Sequence, residues 1–171
     1  MKRAFNLLLL ILAGLHTLRA APQPCTVKEA IELSDSALNQ AEPRVITGLL
    51  TYYEPSHRMA FLQDRTASIY LQIRDSQPVA AGDWVEVTGV VDPGINGRNL
   101  RGLKPETSPI IRRLGPGTWQ PAVPANAADI VSGTVSSIWS SVEGRIAEVD
   151  VIGDRVRLTL KDQPILSLIH I

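Results

Sequence analysis

The 171-residue chain contains three histidines. His16 falls in an apolar N-terminal segment and His170 in the last six residues, so His57 is the imidazole left to do chemistry. Imidazole is a common general base and metal ligand, but a nucleophilic set also needs a hydroxyl or thiol and an orienting acid. His57 stands in the turn sequence Glu54-Pro55-Ser56-His57 and reads as a solvated turn residue. Cys25 is the single cysteine. It excludes an intramolecular disulfide, has no partner at zinc-ligand spacing, and follows Pro22-Gln23-Pro24, a poor lipobox. It reads as an incidental thiol near a flexible terminus. Asp64, Asp75, Asp83 and Asp92 lie near strand ends. They lack the dense Asp-x-Asp-x-Asp-Gly spacing of a calcium loop, and Asp favours turns by bonding nearby backbone. Gly94-Ile95-Asn96-Gly97 lacks the Lys-Ser/Thr that completes a phosphate loop. No catalytic, metal-ligating or cofactor-binding residue is assigned, and the reading is of a non-catalytic chain without a cofactor.

A binding face is the chemistry that remains. Phe61 and Tyr70 are aromatic residues in strand-like runs. Arg98, Arg101, Lys104, Arg112 and Arg113 cluster farther along. Aromatics with a basic rim are what single-stranded nucleic acid binding uses. Against this stand a core reading of Phe61, which is flanked by Met59 and Leu62, and a solvated-edge reading of the basic residues, which lie near Glu106.

These residues must be positioned by short elements. Thr26 with Glu29 fits a capping box, which predicts a helix at about 27–33, with a further turn near 34–41 ending before Pro43. From Arg44 the period becomes two. Strands are predicted at 45–53, 59–64, 67–73 and 84–91, and a fifth, broken strand at 99–104 and 109–114. Asp92–Gly97 is read as a loop. Gly48 and Gly89 sit mid-strand, where glycine weakens pairing unless a sharp bend needs it. Evenly spaced short strands with such bends point to a small five-stranded barrel. A Pro-rich linker and short helix follow at 115–137. A hairpin then turns at Gly153-Asp154, between strands at 139–149 and 155–160. Gly144 and Gly48 occupy similar mid-strand positions after a helical lead-in, a weak internal repeat.

Residues 43–73, with Gly48-Leu49-Leu50-Thr51-Tyr52, Phe61-Leu62-Gln63-Asp64, Thr66 and Ile69-Tyr70, resemble the N-terminal extracytoplasmic module of bacterial sensor histidine kinases and related signalling proteins. Gly82-Asp83-Trp84-Val85-Glu86-Val87-Thr88-Gly89 is similar to that family's next run, and Trp139 through Gly144 to the one after. Ala67-Ser68 stands where the family has a glycine pair. The resemblance implies an OB-like fold, with a ligand crossing the face of its second and third strands. Phe61 and Tyr70, rimmed by Arg98, Arg101 and Lys104, become the candidate ligand face. It also implies that the complete protein is a membrane signalling protein with a kinase region outside this chain.

The two ends of the sequence carry their own expectations. Lys2 and Arg3, the run Leu7–Ala13 and small residues at Ala20-Ala21 form a secretory signal pattern, cut near Ala20 or Ala21. The apolar run is too short to span a bilayer. The chain carries 17 basic and 17 acidic residues, and loss of Lys2, Arg3 and Arg19 leaves a net charge of −3. An acidic mature chain disfavours a polyanionic partner. The last six residues, LSLIHI, match what a common transposon-end sequencing adapter encodes, so a larger protein is expected beyond residue 165. The resulting division is 1–21 signal peptide, 22–43 helical lead-in, 44–114 OB-like barrel, 115–137 linker, 138–165 hairpin of a truncated second OB-like unit and 166–171 adapter artefact. The fold class is mainly β. The chain is expected to be periplasmic or otherwise extracytoplasmic. It would be a sensory or recognition module with an unidentified ligand or protein partner, and membrane attachment only through the missing C-terminal region. The alternative is a secreted OB-fold protein that binds single-stranded nucleic acid or oligosaccharide.

Overall fold

The capping box forms as its spacing predicts. The Thr26 side chain accepts from the Glu29 N–H, and the Glu29 carboxylate accepts from the Thr26 N–H at 2.7 Å. The computed structural model describes residues 21–95, 97–133, 135–153, 155–161 and the backbone of 166–170; the expected export signal at 1–20 lies outside the described residues. A two-residue strand, Gln23–Pro24 (β1), precedes two single-turn helices, Val27–Ile31 (α1) and Asp35–Asn39 (α2). None of the helices among the described residues is long and apolar enough to cross a membrane.

The barrel strands are Pro43–Glu54 (β2), Met59–Gln63 (β3), Ser68–Gln72 (β4), Asp83–Gly94 (β5) and Gly97–Arg101 (β6). β2 pairs with β3, β3 with β4, β4 with β6, β6 with β5, and β5 returns to β2, closing the sheet. All these pairings are antiparallel except β4–β6, which is parallel through Tyr70↔Asn99 and Leu71↔Leu100. This is a closed five-stranded barrel of OB type, and closure removes the exposed edges that invite aggregation. Ile46, Leu50, Leu62, Ile69, Leu71, Val85, Val87 and Leu100 fill the interior. Val27 and Ala30 of α1, both fully buried, add to this core. The helix is anchored by Val27 N–H on Asp64 Oδ2 at 2.8 Å and Lys28 N–H on Thr66 Oγ1 at 3.1 Å.

Gly48 and Gly89 are needed for close approach of backbones. A Cβ at Gly89 would stand 2.3 Å from the Arg101 carbonyl oxygen, and one at Gly48 would stand 2.6 Å from that of Gln63. The stretch expected as a loop at Asp92–Gly97 is mostly strand. β5 runs on through Asp92 and Pro93 to Gly94, and Gly97, at φ +113°, opens β6. Proline is tolerated there because β5 beyond Val90 is no longer paired with β2.

The expected broken fifth strand is two strands on one edge of β5. β6 pairs with Val90–Gly94, while Ile110–Pro116 (β7) pairs with Asp83–Thr88. The expected linker is partly built in. Val123–Pro124 (β8) runs parallel to Ser140–Ser141 (β9), and between them Ala127–Val131 (α3) starts at an Asn126–Asp129 capping box. Ile146–Ile152 (β10) and Arg155–Leu160 (β11) form the expected hairpin, with Gly153 at φ +64°, and Leu166–His170 (β12) lies antiparallel to β11. Gly144, expected mid-strand, precedes β10 in an irregular segment, so its likeness to Gly48 does not extend to structure.

Candidate ligand-binding face

Strand pleating decides which aromatics face outward. In β4, Ile69 and Leu71 are buried and Tyr70 is half-buried on the opposite face. Phe61 is directly across from Tyr70, and cross-strand partners share a face. Phe61 is therefore outside the barrel, while Ala60 and Leu62 are fully buried. The core reading of Phe61 is overturned; a run of four apolar residues, Met59 to Leu62, hid its parity.

A third aromatic joins them. The β2–β3 register shifts between Leu50 and Tyr52, with Thr51 as the extra residue. Without the bulge, Tyr52 would share the inward face of Leu50; with it, Tyr52 pairs outward with Phe61. The ring centroids are 5.9 Å apart for Tyr52–Phe61 and 5.8 Å for Phe61–Tyr70, with tilted planes. That spacing lies within the range of favourable aromatic pairs. Phe61 and Tyr70 border a groove of about 690 Å³, whose polar walls include Gln72, Asp92, Arg98 and Asn99. The buried Asn99 Oδ1 accepts no hydrogen bond among the described residues. The Tyr70 hydroxyl donates to the Arg58 carbonyl at 2.7 Å.

The basic residues do not form a common rim. Arg98 lines the groove, but its guanidinium donates to Asp35 at 2.9 Å and to the Leu33 carbonyl at 3.4 Å. Arg101 points to Asp92 at 3.2 Å, Arg112 to Glu86 at 2.9 Å and Arg113 to Asp83 at 2.7 Å. Hydrogen bonds from the Ala80 N–H and the Arg113 side chain hold the Asp83 carboxyl below its usual range. Lys104 sits in the turn after β6 and does not border the groove. Of the expected rim, the fold brings only Arg98 to the aromatics, and there its charge is already matched.

His57 is not a merely solvated turn residue. It ends a single 3-10 turn, Pro55–His57, and its Nδ1 lies 2.5 Å from Glu54 Oε1. Glu54 is buried and also accepts from the Tyr52 hydroxyl and the Arg155 guanidinium. Burial pushes the Glu54 carboxyl up, but the Tyr52 and Arg155 hydrogen bonds and the nearby charges outweigh it and bring it to about 2. Burial and the bond to Glu54 push Tyr52 up to about 12. The sequence offered one signal for this cluster, the Tyr52-x-Glu54 spacing; Arg155 lies too far along the chain to suggest itself. The four aspartates are engaged in structure. Asp64 caps the turn at 64–67, Asp75 accepts from Ser108, and Asp83 and Asp92 hold arginines. Among the described residues, no group of three or more His, Cys, Asp or Glu is arranged to hold a metal ion.

The arrangement suits stacking and hydrogen bonding to a ring-bearing ligand. In comparisons with known proteins, no family model matches the chain, and no curated protein matches it. Among solved structures it is similar to the hypothetical protein YgiW from E. coli, at 19% identity and a TM-score of 0.40, over 56% of this chain and 99% of that one.

Proposed function

We propose that the barrel is a non-catalytic recognition module that takes its ligand across Tyr52, Phe61 and Tyr70 and along the adjoining groove. The carrying observation is the in-register alignment of three outward aromatics on adjacent strands beside that groove. Burying such rings would strengthen the fold; leaving them partly exposed beside polar walls suits a binding surface. The sensor-like runs Gly48–Tyr52, Phe61–Asp64 and Gly82–Gly89, together with the signal pattern at 1–21, support an extracytoplasmic setting as the input region of a membrane signalling protein. Reading the gene past residue 165 tests that setting. A transmembrane helix followed by a kinase core supports it, and an immediate stop codon removes it.

A second reading, a secreted oligosaccharide-binding barrel, is favoured over nucleic acid by the pairing of the arginines. Matched guanidiniums release few counterions from a polyanion, the main source of nucleic-acid affinity. Both readings place the ligand on the same face. Amide and aromatic NMR shifts of the chain, titrated with neutral oligosaccharides and with single-stranded DNA at low salt, test the face. Perturbation centred on Phe61 and Tyr70 that disappears in Phe61→Ala supports it. Perturbation elsewhere on the barrel rules the face out.

A further inference from the structure

The three tryptophans of the sequence are far apart in the chain, yet two of them line a single recess and the third touches one of that pair. Trp84 and Trp139 line one recess of about 250 Å³, floored by Leu49, Thr51 and Gln63. Trp119 packs against Trp139 with ring centroids 4.7 Å apart and planes tilted by 50°. The recess shares no lining residue with the groove beside Phe61 and Tyr70.

Backbone contacts fix its far wall. Gly82, at φ +93°, donates its N–H to the Leu50 carbonyl and accepts from the Gly117 N–H, both at 2.8 Å. A Cβ at Gly117 would lie 2.3 Å from Leu49 Cδ1, so glycine allows the segment after β7 to lie flat on the barrel. That brings Thr118 and Gln120 to the recess.

The polar groups have distinct states. Gln63 is only 8% exposed; its Oε1 accepts the Trp139 N–H at 2.8 Å, while its Nε2 donates to no group among the described residues. The Gln63 side chain lines the recess, so its amide N–H groups are available to a ligand there. Arg65 is exposed and makes no ion pair among the described residues. The Asp64 carboxylate is held by N–H groups of Val27, Thr66 and Ala67 and by the Thr66 hydroxyl. Burial would raise its pKa, but those bonds prevail and lower it, so the lining that holds Trp84 and Trp139 also carries a negative charge.

Two indoles next to a fixed carboxylate attract a cation, most of all a quaternary ammonium that water holds weakly. A spare amide donor and an unmatched guanidinium attract a carboxylate. We propose that this recess binds a small zwitterion of the betaine type, its trimethylammonium against Trp84 and Trp139 beside Asp64 and its carboxylate on Gln63 Nε2 and Arg65.

The test is a titration of the whole chain by calorimetry and by tryptophan fluorescence, which reports on this recess because Trp84 and Trp139 line it and the remaining indole, Trp119, is in contact with Trp139. Glycine betaine is compared with 3,3-dimethylbutanoate, the same shape without the positive charge, and with choline, which lacks the carboxylate. Saturable betaine binding, weakened about tenfold or more in either analogue, is the expected result. Arg65→Gln, a surface change, should weaken betaine and leave choline unaffected. Phe61→Ala should leave betaine binding intact, separating this site from the aromatic face. Absence of saturable binding at tens of millimolar betaine overturns the proposal. So does equal affinity for 3,3-dimethylbutanoate, or indifference to Arg65→Gln.

Discussion

The carboxylate of Glu54, at the end of β2, accepts a hydrogen bond from the guanidinium of Arg155 on β11, 101 residues away in sequence. The pair joins the C-terminal sheet to the barrel beside Tyr52, whose ring begins the outward aromatic row. Arg155 is mostly buried and its Nε has no partner among the described residues, where the ion pair is its principal tether.

Arg155→Met should therefore loosen the C-terminal sheet before the barrel. Losing a partner from a buried acceptor costs about 1–3 kcal/mol. Hydrogen exchange should rise first at β10 and β11, while the β2–β5 amides stay protected. Uniform loss of protection would show that the two parts unfold together.

The same cluster sets opposite pH limits. Glu54 titrates at about 2 in the folded chain, below its ordinary value of 4.5. Between those values the unfolded chain binds the extra proton. The carboxylate's stabilisation is therefore complete above the ordinary value and is lost as pH falls towards about 2. Tyr52 is raised from 10 to about 12, so its contribution holds below pH 10 and is lost as pH rises through about 12. Ultraviolet titration of the three tyrosines should show a phase near pH 12 that Tyr52→Phe removes.

Gly89→Ala should damage the barrel more than an ordinary strand substitution. Its Cβ would meet the Arg101 carbonyl oxygen at 2.3 Å and Leu100 Cγ at 2.9 Å, where β5 and β6 close the sheet. Backbone cannot yield as a side-chain tip can, so a loss at or above the usual ~1–3 kcal/mol for overpacking is expected. Urea midpoints read it directly, with the exposed Gly97→Ala as a control for φ strain, because nothing lies within 4 Å of a Cβ there.

Phe61 and Leu62 are neighbours with opposite duties. Leu62→Ala empties a fully buried position and should cost about 2–5 kcal/mol. Phe61→Ala loses two ring contacts, about 1–2 kcal/mol, with binding at the groove lost alongside. Equal destabilisation by both would return Phe61 to a packing role.

Local chemistry was legible in the sequence. Thr26 and Glu29 announced their capping box because its bonds span three residues. Ser68 to Gln72 announced its inward and outward faces by alternation, and Gly48 and Gly89 marked bends because bulk is excluded there. These features depend on neighbours along the chain. The outward aromatic row depended on register instead. Thr51 enters β2 as a bulge only when β3 pairs beside it, and Phe61 gains its outward direction from Tyr70 across the ladder. Arginines that form a basic cluster in sequence each meet a carboxylate in space. Glu54 finds Arg155, and the indoles of Trp84, Trp119 and Trp139 gather, only once the sheet closes. Periodicity fixes what a residue does to its own strand; pairing across the barrel decides which residues share a face, a charge or a recess.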